Sequence, residues 1–290
     1  MLSQQSFVSG QAIVALTIPT VTAIALMLGL VGDVHEALWA SAIGGLASVA
    51  LGAILVARYV GRGPKSVDIP MRSLAASSLP LWGVGIAHNI GDWYSLVIAA
   101  QMLSAADAGY FRVCVQITIA LQVIANSVFS VYSAKISAAF HENDRKKAAT
   151  LARIAMFLST ALAVPVALTL LVSASFILSQ FGPEFVAALP VLVCLVVGQL
   201  IFTLTGPAGL VLAMSGNERV NLTITIAGMI AVLILTPIGA IYGGLIGIAV
   251  AVTAALIARN LTSYVFVRRR EGIDIWTGKI LPGFSEKSTN

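Results

Sequence analysis

One stretch of this sequence concentrates side chains that can move charge. In Ser78-Leu79-Pro80-Leu81-Trp82-Gly83-Val84-Gly85-Ile86-Ala87-His88-Asn89-Ile90-Gly91-Asp92-Trp93-Tyr94, His88 and Asp92 stand four residues apart, with Asn89 beside them. That spacing puts His88 and Asp92 on one face of a helix. A carboxylate held inside a helical bundle can carry a proton or ligate Na⁺, and a His–Asp pair can relay a proton. The other reading is a structural hydrogen-bond pair turned toward neighbouring helices. A second set, Arg112, Gln116, Asn126, Ser130 and Ser133, falls on one helical face, with Ile119 and Val123 in its gaps and Thr118 and Gln122 along its border. Amides and hydroxyls suit a ligand rich in hydroxyl groups, and an Arg grips a phosphate or carboxylate by a two-pronged contact. The same residues also serve as interhelical hydrogen bonds, with Arg112 snorkelling to headgroups. Arg259, followed by Asn260, either snorkels to the nearer surface or lines a cavity.

The elements that position these groups are membrane spans. Of 290 residues, 58% are apolar and 10% charged, and the mean hydropathy is +0.96. An ordinary soluble domain carries about 25% charge, so the composition excludes a soluble enzyme, a secreted disulfide scaffold and a disordered chain. Eight segments offer the roughly 20 apolar residues that a spanning helix needs, at about 11–31, 37–57, 79–103, 110–134, 150–175, 187–213, 220–238 and 242–267. The first lacks the basic start and short apolar core of a signal peptide. All but Arg112, Arg153 and Arg259 of the 17 basic residues fall in alternate loops or in the segment after the last span. The opposite loops carry Asp33, Glu36, Asp107 and Glu184 instead. Positive charge marks the cytoplasmic side, so both termini are expected there. The net charge of +5 therefore belongs to the membrane surface and implies no nucleic acid.

Loop lengths suggest an organisation. The polar, basic stretch 58–76, rich in Gly and Pro, reads as a cytoplasmic linker between two helices (1–57) and a six-helix bundle (77–267). Residues 268–290 read as a poorly ordered cytoplasmic tail resting on the inner leaflet through its basic residues and Trp276. Small residues at four-residue spacing (Gly44, Ser48, Gly52; Gly243, Gly247) allow close helix packing. Pro19, Pro165, Pro207 and Pro237 are expected to bend their helices. Cys114 and Cys194 read as small core residues, and with His35, His88 and His141 far apart no metal or other cofactor is expected. The sequence carries no phosphate-cradling Gly-rich loop, no His-Glu-x-x-His and no Ser nucleophile elbow, so no enzyme is expected.

Four places carry a resemblance. They are Asn89-Ile90-Gly91-Asp92; Asp107-Ala108-Gly109-Tyr110-Phe111-Arg112-Val113; Phe181-Gly182-Pro183-Glu184-Phe185 running into Val186–Leu192; and Leu212-Ala213-Met214-Ser215-Gly216-Asn217. Together they make residues 77–267 similar to the C-terminal half of a polysaccharide (O-antigen type) flippase of the multidrug/oligosaccharidyl-lipid/polysaccharide exporter superfamily. The resemblance implies an all-α integral membrane fold of two six-helix bundles facing a central cavity, here with about eight helices. About four N-terminal helices would then be lacking. It further implies a bacterial inner-membrane flippase for isoprenoid-linked oligosaccharide in O-antigen, capsule or exopolysaccharide production, with H⁺ or Na⁺ coupling as in several relatives. Its partners would be the lipid-linked oligosaccharide, membrane lipid and glycan-biosynthesis proteins. On this resemblance Asp92 and His88 are the ion-coupling residues, and Asn89, Arg112, Gln116, Asn126 and Arg259 face the substrate cavity. A multidrug or other lipid exporter of the same fold, and a non-transporting membrane scaffold, are the alternatives.

Overall fold

The computed structural model describes residues 33–60 and 71–281, with isolated positions between 20 and 29. Most of the expected first span, Pro19 and residues 61–70 of the expected linker lie outside the described residues. Two units result, Met1–Ile69 and Pro70–Asn290. In the first, α1 (Val34–Val60) begins with Glu36 in its first turn, where a carboxylate favours the positive end of the helix dipole. Ala40, Gly44 and Ser48 are buried at four-residue intervals, while Trp39, Leu46 and Val49 are exposed.

The second unit holds α2 (Met71–Met102), α3 (Ala105–His141), α4 (Arg145–Val172), α5 (Ala174–Ser179), a 3₁₀ turn (Pro183–Ala188), α6 (Leu189–Thr205), α7 (Ala208–Met214) and α8 (Glu218–Phe266). Helix therefore reaches into both ends of the stretch read as a linker. Counting the 3₁₀ turn with α6, four of the described helices are long and apolar enough to cross a membrane: α3, α4, α6 and α8. The architecture is all-α and membrane-like. α2 has the length but is not among the four, and its middle carries His88, Asn89 and Asp92 within five residues.

Packing follows the logic of a lipid solvent. Every buried position of α4 is small: Ala148, Ala149, Ala152, Ala155, Ser159, Ala163 and Ala167. Its large side chains, among them Ile154, Phe157, Leu162 and Leu168, are exposed. A soluble helix would do the reverse. In hydrocarbon, apolar groups gain little by leaving lipid, so helices associate through close backbone approach over small residues.

The 49 residues of α8 would run about 74 Å if straight, more than twice the hydrocarbon thickness. The chain instead breaks at Gly244, whose φ of 55° lies in the left-handed region that glycine tolerates. The two limbs, the spans expected at 220–238 and 242–267, fold against each other. Gly239 and Gly247 meet so closely that a Cβ on either would overlap the other's carbonyl. This corrects the reading of Gly243 and Gly247 as the packing pair, because Gly243 has open space where its side chain would be. The span expected at 187–213 also divides, at Gly206 (φ 69°) and Pro207. Pro165 and Pro237 sit within helices that continue through them.

The ends are fastened separately. At the start of α3, Ser104 accepts a hydrogen bond from the Asp107 amide at 3.0 Å and donates to its carboxylate at 2.6 Å, a reciprocal cap. Tyr110 then meets Phe185 edge-to-face at 4.8 Å, so two of the segments that carry the resemblance touch. At the basic end, the expectation of a loose tail is overturned as far as residue 281. Residues Ile273–Asp274 (β1) and Lys279–Ile280 (β2) form an antiparallel hairpin. Its Ile273 and Ile275 are fully buried with Ile136, Ala148, Val211 and Leu212. Taking each isoleucine out of water contributes roughly 1.5–3 kcal/mol, enough to hold a segment whose net charge suggested a solvated tail. Glu271, 5% exposed, accepts from Asn217 Nδ2 at 2.7 Å, and Arg145 Nη1 reaches both its backbone oxygen (3.0 Å) and its carboxylate (3.3 Å). The basic segments 135–147, 217–219 and 268–279 thus gather at one end of this unit.

Gly247→Val should lower unfolding stability by about 1–3 kcal/mol, the cost of overpacking, measured by denaturant titration in detergent, whereas Gly243→Ala should cost much less. Glu271→Ala should cost about 1.5–3 kcal/mol, mainly from its hydrogen bonds because the partly exposed Arg145 is screened. Amide exchange in 272–281 should rise in that variant.

Candidate functional site

Four helices surround a cavity of about 200 Å³ in the second unit. α2 contributes His88, Gly91, Asp92 and Ser95, spaced three to four residues apart and so on one face. α3 contributes Arg112, Val115, Thr118 and Gln122 on the same rule, and α6 contributes Leu195 and Gln199. The two limbs of α8 face each other across it, with Thr225 and Gly228 on the first and Leu256 and Arg259 on the second. Drug-sized ligands occupy roughly 300–1,000 Å³, so this space accommodates a small charged group with water rather than an oligosaccharide.

Arg259 is the centre of the site. A Cβ on Gly228 would stand 3.1–3.2 Å from the Cβ, Cγ and Cδ of Arg259. The bare glycine is what lets the arginine stem lie along the opposite limb. The guanidinium ends against α2, where Nη1 donates to His88 Nε2 at 2.8 Å. Arginine has no lone pair to offer, so the imidazole accepts through Nε2 and carries its proton on Nδ1. Of the two sequence readings of Arg259, the structure shows the inward one.

His88 and Asp92 share a face as the spacing requires, but the imidazole bonds to Arg259 rather than to the carboxylate. Asp92 lies within the fields of Arg259 and Arg112. Among the described residues neither guanidinium closes an ion pair on it. Arg112 stands over the Trp93 ring with Cζ 6.0 Å from its centroid, a cation–π arrangement that steers the charge without neutralising it.

Other expected cavity residues lie elsewhere. Asn89 is exposed outside the cavity, its amide donating to Gly85 O at 2.9 Å on its own helix. Gln116 and Asn126 are exposed on α3 and do not line the cavity, whereas Thr118 and Gln122, read as the border of that stripe, do. Asn260 is buried and donates to Leu256 O at 2.8 Å. Cys114 is buried in the apolar core. Sequence reasoning missed Ser95, Gln199 and Thr225. Gln199 had a signal: a lone carboxamide set in the apolar run Val-Val-Gly-Gln-Leu-Ile, a polar group that hydrocarbon disfavours. The Ser95, Thr118 and Thr225 hydroxyls donate to carbonyls of their own helices, so they meet a ligand as acceptors. Gln122 and Gln199 can both donate and accept.

Residues 3–133 match the family model described as polysaccharide biosynthesis protein. The match takes in α1, α2 and most of α3, and with them His88, Asp92 and Arg112. It overlaps the region of the flippase resemblance over 77–133 and extends to the segment before it. No curated protein and no solved structure matches the chain.

Removing the acceptor should strand the Arg259 donor. His88→Ala should lower stability by about 1–3 kcal/mol in detergent unfolding, and His88→Gln, which keeps an acceptor oxygen, should recover part of it.

Proposed function

We propose that the chain is a membrane flippase for isoprenoid-linked oligosaccharide, acting in cell-surface polysaccharide biosynthesis. The observation that carries this reading is Arg259, a guanidinium held inside the helical unit of a chain whose residues 3–133 match the polysaccharide biosynthesis family. A charged group inside a membrane bundle is costly, and such groups characteristically face polar paths for substrates or ions. The chemistry fits the phosphate of a lipid-linked sugar, which needs cations in a low-dielectric site, while the carboxamides of Gln122 and Gln199 suit hydroxyl groups. In this reading the phosphate enters the cavity between Arg112 and Arg259. The glycan, too large for it, follows the polar positions outside it, Asn89, Gln116 and Asn126. Asp92 supplies the coupling site for H⁺ or Na⁺, and His88 sets the state of Arg259. The gathering of basic segments at one end of the second unit supports an inner-membrane orientation with that end cytoplasmic.

The test is complementation in a host deleted for the gene. Wild type should restore surface glycan. Asp92→Asn, Arg112→Gln and Arg259→Gln, at equal membrane abundance, should each lower it by about tenfold or more, the effect of losing roughly 1.4 kcal/mol in the translocation step. Full surface glycan in all three variants would overturn the site. Drug sensitivity with normal glycan in the deletion strain would move the reading to a multidrug exporter.

A further inference from the structure

The His88–Arg259 hydrogen bond makes two binding events mutually dependent. Arg259 Nη1 has the His88 lone pair as its partner at 2.8 Å. A proton on His88 Nε2 removes that lone pair and sets an imidazolium against a guanidinium. With the cavity holding only water, the two cations oppose each other. An anion changes the sign of the arrangement. A phosphate-type oxygen placed between the two side chains accepts from the guanidinium, and a proton on His88 Nε2 turns the imidazole into a second donor to the same anion.

We infer that His88 and Arg259 form one site in which an oxyanion of phosphate type and a proton bind together, each strengthening the other. Coupling of this kind is reciprocal: if the proton tightens the anion, the anion tightens the proton by the same factor. The shared anion is the link: it offsets the repulsion between the guanidinium and the imidazolium and accepts from both. An anion arriving from either side of the membrane would therefore bring its own proton to the bundle interior. The other charged groups facing the pair are Asp92 on the same helix and Arg112 on α3. Among the described residues, α6 and the first limb of α8 contribute Gln199 and Thr225 to the cavity and no charge. Asp92 is the competing proton acceptor, so the test has to separate it from His88. The inference rests on the reading of Arg259 as the cation that meets the transported anion.

Sulfate is the probe, because it presents phosphate-like oxygens and keeps its charge through the neutral range. Binding of labelled sulfate to the purified full chain in nanodiscs is measured as a function of pH. The expected result is a Kd that falls with falling pH by up to about tenfold per unit, the limit for one linked proton. His88→Gln should still bind sulfate, with a Kd independent of pH, and Asp92→Asn should keep the slope. Sulfate binding that needs Arg259 but shows no pH dependence in the wild type overturns the coupling and leaves the cation site standing. A slope that survives His88→Gln, or vanishes in Asp92→Asn, also overturns it. Absence of sulfate binding at every pH, or binding indifferent to Arg259→Gln, overturns the cation site itself.

Discussion

The close approach of Gly239 and Gly247 governs the second unit. Only two residues without Cβ atoms allow the limbs of α8 to touch backbone to backbone. That approach sets the register of the hairpin, and the register brings Gly228 opposite Arg259. An arginine there, between limbs held further apart, would have room to turn along the helix toward water. Held close, its stem has one course, across the first limb to His88 on α2. The charge inside the cavity is thus a consequence of missing side chains some three turns away.

The rest of the unit is arranged so that this contact can persist in lipid. α4 turns a row of alanines inward and its bulky residues outward, which leaves cohesion to backbone proximity and interlocking shape. Apart from the Arg259–His88 bond in the cavity, the directional contacts described above stand at the ends. The Ser104–Asp107 cap and the Tyr110–Phe185 pair close one end, and Glu271 with Asn217 and Arg145 closes the other. Between them the Ser95, Thr118 and Thr225 hydroxyls bond to their own helices, and the polar lining joins two helices through the Arg259–His88 bond.

What could be read in the amino-acid string was local. The four-residue spacing of His88 and Asp92, the alternation of basic loops and the apolar runs each depend on neighbours along the chain, and the helical architecture follows from them. The partner of His88 could not be read, because it lies 171 residues away and depends on a glycine contact that composition alone does not locate. Gln116 and Asn126 fell on the same helical stripe as Arg112, yet the cavity is framed by the adjoining strip through Thr118 and Gln122. A helical face is about 100° wide, and spacing does not decide which edge of it a neighbour covers. The segment after α8 misled through its charge: strands of two residues are too short to show alternation, and the buried Ile273 and Ile275 sit among basic residues that signal exposure.

The hairpin that follows α8 has a consequence for biogenesis. Ile273 and Ile275 fill space between α3, α4 and α7, all made well before them during synthesis. Until the ribosome has released this segment, the earlier helices sit in the bilayer with an unfilled apolar recess at their basic end. The recess at the basic end can therefore be filled only after every helix that forms it has been synthesised.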